Sequence, residues 1–367
     1  MCFLHRSPIL RPVEIEFGTV TCPSGRLVIA DTGYLGLWSG DAAPVADADL
    51  LAGITDPALR ESVANAADLE IVGPDAERAA RSFDRQSGTW LYDIPAHGVP
   101  KIVESFEAHR REHGLDARVE RLPDRVPHRE RAERAARAGG DGFIMQGVPV
   151  VVAPLPAGSE LRVTGTRRDY GRIGVRWETI TVHVSDAGTV ASRRLDTVGV
   201  DAARLSLIDA DALGSWRHDE PLDGLADVAF WGRSQEEAAA YFDAPPLGRP
   251  GEEGVRGWAD LDARAAVERA MAVREWADAS PDRLLAVDFR PHSHHFEVLS
   301  LIRASGTESG VTVVGGARTL AFATSWGDGL YPVHADFDAA GRPARIRIAL
   351  GDQERARRLE ELHDRWS

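Results

Sequence analysis

"TVTCPSGRLVIADTGYLGLW", Thr19 to Trp38, decides the fold, because the chain contains a second version of it. Laid over "TVGVDAARLSLIDADALGSW", Thr197 to Trp216, at a constant offset of 178, it agrees at eight of twenty positions. The matches are Thr, Val, Arg, Leu, Asp, Leu, Gly and Trp, so an alanine-rich composition does not explain them. Repeats of this kind are read before anything else, because a missed repeat misreads the whole architecture. The run "GRLVIAD" at its centre is apolar and β-branched, which suits a strand buried on both faces.

Working outward, "DLEIVGPDAERAARSFD" from Asp68 lies over "DVAFWGRSQEEAAAYFD" from Asp227, and the shorter offset leaves the first half about nineteen residues longer here. "DRVPH", ending at His128, lies over "DFRPH", ending at His292. Gly142 and Gly147 lie over Gly310 and Gly315, and "SDAG" before Gly188 lies over "DAAG" before Gly341. The order of blocks is the same throughout. We read residues 14–195 and 196–350 as two homologous halves made by internal duplication, with 351–367 as a closing helix.

Within each half the local chemistry predicts an α+β fold of mainly antiparallel sheets with flanking helices. "DAERAARSFD" and "SQEEAAAYFD" read as short helices, the second with Ser234 and Glu237 at capping-box spacing. "LDARAAVERAMAVREWADAS" is a longer helix with apolar residues at helical spacing. Gly315-Gly316 supplies the positive φ of a two-residue hairpin. "ETITVHV-SDAG-TVASRRL" and "YPVHADF-DAAG-RPARIRI" each read as strand, turn, strand, with Asp338 opening a turn through its side chain. The two halves are expected to be related by a pseudo-twofold axis, with the main cleft at their interface.

Composition narrows the function classes. The chain has 367 residues, 43% apolar, with a formal net charge of −14. Lys101 is its only lysine, and the remaining cations are arginine. That balance argues against a nucleic-acid face, which needs clustered positive charge. The basic run "RERAERAARAGG", from Arg129 to Gly140, reads as the solvated face of a helix. Two cysteines, Cys2 and Cys22, exclude a disulfide framework or a cysteine-rich zinc module. The opening "MCFLHRSPILRP" is too short in apolar residues for a signal peptide, and no stretch is long enough to span a membrane, so the expected location is the cytoplasm. Gly-x-Gly-x-x-Gly after a strand, the P-loop, His-Glu-x-x-His and paired Cys-x-x-Cys are all absent.

Features of the second half without a partner in the first mark the candidate site. "SWGDGLY" places Trp326, Asp328 and Tyr331 over Ile173, Val175 and Glu178 of the first half. As a binding loop it offers two aromatic anchors and a charged contact; as structure it is a bulge at Gly329 with Trp326 capping the core. Arg290 joins this candidate binding set. In "RPHSHHFE", His292 and His294 share one face if the segment is extended, which is half of a divalent metal site that His334 and Asp336 could complete. Solvated or core-bonded histidines are the competing reading. "RASGTESG" reads as a loop.

Ser24-Gly25-Arg26, Val200-Asp201 and Trp326-Gly327-Asp328-Gly329 followed by Tyr331-Pro332-Val333 together resemble an uncharacterised bacterial family, domain of unknown function 4241. Ser325, Thr32 and Ala203 depart from that family's usual Gly, Pro and Gly. The resemblance implies a mixed α+β bacterial protein and no particular activity or cofactor. The expected function is non-catalytic binding of a protein partner, of the kind that neutralises a toxin, through the Trp326–Tyr331 loop. One alternative is a metal-assisted hydrolase, with His292, His294, His334 and Asp336 holding a divalent metal and Asp328 as general base. The other is a small-molecule sensor with its ligand between the halves.

Overall fold

The computed structural model describes residues 14–83 and 88–366. The opening residues read for targeting, Cys2 among them, lie outside it. The first half runs β1 (Glu14–Cys22), β2 (Arg26–Asp31), α1 (Ala48–Gly53), α2 (Pro57–Ala64), β3 (Ala67–Val72), α3 (Ala76–Ser82), β4 (Trp90–Ile94), α4 (Val99–His113), β5 (Arg118–Arg121), α5 (His128–Arg137), β6 (Asp141–Met145), β7 (Val148–Pro154), β8 (Ser159–Asp169) and β9 (Val175–His183). The second runs β10 (Ala191–Val200), β11 (Arg204–Asp209), β12 (Leu225–Trp231), α6 (Gln235–Phe242), β13 (Arg256–Asp262), α7 (Ala263–Asp278), β14 (Ala286–Pro291), α8 (His294–Ala304), β15 (Ser309–Val314), β16 (Ala317–Ala323), β17 (Gly329–Phe337) and β18 (Pro343–Ala349), and α9 (Gln353–Trp366) closes the chain.

The fold is α+β, and every strand pairing among the described residues is antiparallel. The strand orders are palindromic. One six-stranded sheet reads β1-β8-β9-β18-β17-β10, the other β15-β16-β11-β2-β7-β6. Each half adds one three-stranded sheet, β4-β3-β5 and β13-β12-β14. The irregularities repeat too. The register slips between Glu16 and Gly18 and again between Arg194 and Asp196, and between Ala67 and Leu69 and again between Ala226 and Val228.

The β2 strand shows why the opening stretch is decisive. Leu27 and Ile29 point into the core between the two large sheets, packed with Phe17, Trp177 and Phe322. Val28 and Ala30 point the other way, into a second core with Ala132 and Ala135 of α5 and Val298 and Ile302 of α8. A strand apolar on both faces therefore forms the middle layer of a three-layer body. Leu205 and Leu207 of β11 do the same opposite Asp31 and Ile29.

The halves are clasped reciprocally at the ends of these strands. Asp31 accepts from the N–H groups of Asp201 and Ala202, at 2.5 and 2.8 Å, and of Gly33 at 2.7 Å. Asp209, 178 residues on, accepts from Ser24 N at 2.8 Å and Ser24 Oγ at 2.6 Å, and from Asp211 and Ala212 N–H. Each carboxylate thus holds the other half's turn. Asp209→Ala is expected to lower stability by about 2 kcal/mol, because buried donors are left unpaired; a urea midpoint equal to the parent's would refute this.

Several expectations need correction. A boundary at 195/196 falls inside β10, and the connection between halves is 184–190. β9 and β10 do not form a hairpin: β9 pairs with β8 and β18, and β10 with β17. "SDAG" lies in that connection, whereas Asp338–Gly341 joins β17 to β18, so the two turns are not equivalent. The reading of Asp338 as turn chemistry holds: it accepts from Ala340 and Arg342 N–H at 2.9 Å. The hairpin at Gly315-Gly316 matches Gln146-Gly147, both pairs at positive φ, so Gly147 corresponds to Gly316 rather than Gly315. Ser234 heads α6 without a side-chain cap bond; its Oγ accepts from Leu284 N instead. The helix from the basic run is not simply solvated, since Arg131 is fully buried. The halves meet through the β2–β11 and β9–β18 pairings, and a hollow of about 620 Å³ lies at their junction, between Lys101, Phe143 and Pro149 of the first half and Asp196, Thr197 and Leu330 of the second. Among the described residues no helix is long and apolar enough to cross a membrane.

Candidate functional site

The Trp326–Tyr331 loop is built inward. Trp326 is buried and meets Tyr170 edge-on, ring centroids 4.8 Å apart. Tyr331 is buried and donates its hydroxyl to Gly327 O at 2.7 Å, and Thr324 Oγ1 donates to the same carbonyl at 2.8 Å. Asp328 accepts from Ala203 N–H at 3.0 Å and so fastens the turn. Trp326 and Tyr331 therefore cap the core between the large sheets and offer no anchor to a partner. The sequence expectation fails here because alternation along β17 sends Tyr331, Val333 and Ala335 to the core. Arg290 is also buried, donating to both Glu252 oxygens and to Asp288. The first-half counterpart of this loop is the β7–β8 connection, not Ile173, Val175 and Glu178.

The expected metal ligands do not converge. Ser293 caps α8 by accepting from Phe296 N, so the chain turns from strand to helix between His292 and His294. His294 Nδ1 accepts from Arg217 N at 2.9 Å and its ring stacks on Trp216. His128 does the same work in the first half, accepting from Ser39 N beside Trp38. His294, not His292, is thus the partner of His128; both are core histidines. His334 and Asp336 lie on β17 in a different sheet, and Arg347 grips Asp336 with two bonds of 2.6 and 2.9 Å.

The geometry gathers charge elsewhere, at a feature both halves share. Asp68 and Asp227 sit at the equivalent bulges of β3 and β12. Asp93 and Asp260 follow on β4 and β13, each at φ 55°. Asp93 N donates to Asp68 and Asp260 N donates to Asp227, at 2.8 and 3.0 Å. In the first half Arg131, three residues into α5, bridges Asp68 and Asp93 at 3.0 and 2.9 Å, and Arg125 pairs with Asp93. The Arg131, Asp68 and Asp93 side chains are 0%, 0% and 4% exposed, so this cluster is buried, with Asp93 and Arg125 on the wall of a small hollow of about 250 Å³. Burial alone would raise the Asp93 pKa; Arg131 and Arg125 outweigh it and hold the carboxyl well below its ordinary range.

The second half answers differently. The position matching Arg131 on α8 is Glu297, which accepts from Thr312 Oγ1 instead. Arg249 arrives from the loop before β13. It donates Nε and Nη2 to Asp227 at 2.7 and 2.8 Å and Nη2 to Asp260 at 2.7 Å. His292 spans Asp223 and Asp227, its ring nitrogens 2.9 and 3.0 Å from their oxygens. Burial depresses the His292 pKa, but hydrogen bonds donated to Asp227 and Asp223 outweigh it and the net direction is upward. These links are strongest while the ring is charged and weaken as pH rises through that raised value. This cluster is open: Asp260 and Asp223 are 59% and 49% exposed.

Beside it lies a cavity of about 480 Å³. Its walls are Leu222 and Pro250 on one side and Phe296, Leu301 and Ala304 of α8 on the other, with Asp223, Arg249, His292 and Glu297 as its charged groups. Phe296 stacks on His292, ring centroids 5.8 Å apart. Two larger hollows lie elsewhere. One, of about 620 Å³, has Lys101 on its wall, and the other, of about 670 Å³, is lined by Arg81 and Arg134, which pair with Glu77 and Glu130. Neither is lined by a member of either charge cluster.

Asp227, Asp260 and His292 bring one ligand atom each to within 4.8 Å of one another, a spacing that a metal ion could use. Arg249 already donates to both carboxylates there, so a guanidinium holds the place of the cation. The residues do not fit a metal. Sequence reasoning missed Asp223, Asp227, Asp260 and Arg249; the signal available was the repeated "D" opening both "DLEIVG" and "DVAFWG". No protein-family model, curated protein or solved structure matches the chain.

Proposed function

We propose that the protein is a non-catalytic binding protein whose ligand is a small amphipathic molecule held in the second-half cavity. We further propose that its halves descend from one duplicated module. The palindromic strand orders and repeated bulges support that descent. One observation carries the binding reading: a charge cluster that is buried and neutralised by two guanidiniums in the first half is half exposed in the second, beside an apolar-walled cavity of about 480 Å³. A concave apolar surface with a few convergent polar groups is the usual form of a ligand site. His292 has carboxylates on both ring nitrogens, an arrangement that fixes its orientation rather than freeing a base. The resemblance to domain of unknown function 4241 lends this reading no activity.

The test is a thermal-shift screen of small amphipathic compounds of all charge types against the parent and Leu301→Trp, which fills the cavity from its wall. At a hundredfold excess over Kd a ligand of the folded state adds about 2.7 kcal/mol. At least one compound should raise the parent's midpoint and leave the variant's unmoved. Equal shifts in both proteins, or none in the parent, would end the proposal.

A further inference from the structure

We propose that the cavity beside α8 takes an amphipathic amine, its ammonium against Asp223 and its apolar body along Phe296 and Leu301. This rests on the reading of the cavity as a ligand site and adds the ligand's charge. Four carboxylates border the cavity or its cluster: Asp223, Asp227, Asp260 and Glu297. Against them stand one guanidinium, Arg249, and one imidazole, His292. Even with His292 charged, negative charge is in excess. Asp227 is spent, since it already accepts from Arg249, His292 and Asp260 N–H. Asp223 is not. It accepts from Leu225 N–H with one oxygen and from His292 with the other, and its side chain is half exposed at the cavity rim. Each carboxylate oxygen has a second lone pair, so Asp223 has room for a charge-assisted bond.

The first half supplies the contrast. There two guanidiniums, Arg131 and Arg125, neutralise Asp68 and Asp93, and nothing further is called for. The second half places Glu297 where Arg131 would be and makes up only part of the loss with Arg249. A cation from outside completes the balance. The flat His292–Phe296 pair offers a face for an aromatic or alkyl body, and Leu222, Pro250 and Leu301 flank it. A carboxylate-bearing ligand of the same shape would meet Asp223 and Glu297 with like charge.

Isothermal titration with phenylpropylamine, phenylpropanol and phenylpropanoate separates the possibilities. The amine should bind at least about tenfold more tightly than the alcohol, since a hydrogen bond to a charged group is worth about 1.5–3 kcal/mol. Asp223→Asn, which keeps an oxygen for Leu225 N–H, should remove that preference. If the alcohol or the acid binds the parent as tightly as the amine, or Asp223→Asn leaves the preference in place, the cationic assignment is overturned and the ligand site stands. If none of the three binds up to the limit of solubility, the amine assignment falls, and the thermal-shift screen decides the ligand site separately.

Discussion

Arg131→Ala is expected to lower the free energy of unfolding by about 3–5 kcal/mol, the usual consequence of removing one partner from a buried ion pair. Arg131 is fully buried and has no alternative environment. Its Nε and Nη1 donate to the carbonyls of Val126 and Ile144, each at 2.9 Å, and its Nη2 joins Asp68 and Asp93. It also lies 4.4 Å over the Tyr92 ring. Truncation removes the only guanidinium on Asp68, one of the two on Asp93, the donors to two carbonyls and the cation over an aromatic face together. The second-half analogue, Arg249→Ala, should be milder, because Asp260 reaches water and buried Asp227 keeps His292 and the Asp260 N–H as partners. A triple change, Arg131→Met with Asp68→Asn and Asp93→Asn, should recover part of the loss by removing the stranded charge. Urea unfolding of the four proteins decides the matter: equal losses for Arg131→Ala and Arg249→Ala would show that burial of the first cluster carries no energetic weight.

Acid should destabilise the fold before its carboxylates titrate fully, and His128 is a principal reason. Burial first, and then the charge of Arg131, pushes its pKa down to about 3. In the unfolded chain an imidazole titrates near ~6.5. Between those values the unfolded chain holds a proton that the folded chain does not, so stability falls as pH drops from about 6.5 toward 3. The full window corresponds to roughly 5 kcal/mol. His295, stacked on His218 and also pushed down to about 3, acts with the same sign. Asp93, held low by its arginines, contributes stability that is present above its unfolded value and lost as pH falls further. His128→Gln keeps an acceptor for Ser39 N–H and cannot charge, so its stability should fall less steeply across that window. Parallel pH profiles for the parent and His128→Gln would remove His128 from the account.

How much of this was legible in the sequence depended on the range of the interactions. The strand at Arg26–Asp31, the helices at 76–82, 235–242 and 263–278, and the Gly315-Gly316 hairpin are written in local periodicity and turn chemistry, and the structure has them. The repeat of order was legible as well, but its register slipped wherever a short match competed with a bulge or a turn. His128 was paired with His292 because both follow proline; the structure pairs it with His294, because the contact that defines the position, Ser39 or Arg217 N–H on the imidazole, comes from far along the chain. Trp326, Tyr331 and Arg290 looked like contacts for a partner because aromatic and guanidinium groups serve interfaces and cores alike, and burial alone separates the two. The Asp227 cluster was invisible for a related reason. Its members, Asp223, Asp227, Arg249, Asp260 and His292, are scattered over three loops and two strands, and only the folded chain gathers them.

The pairing of β2 with β11 and of β9 with β18 has a mechanical consequence. Two seams of interstrand bonds cross the midline, so the molecule has no hinge there, and opening along that line would break both ladders at once. The three-stranded sheet of β12, β13 and β14 stands outside both seams. In hydrogen–deuterium exchange the amides of the two seams should be the last to label, after those of this sheet.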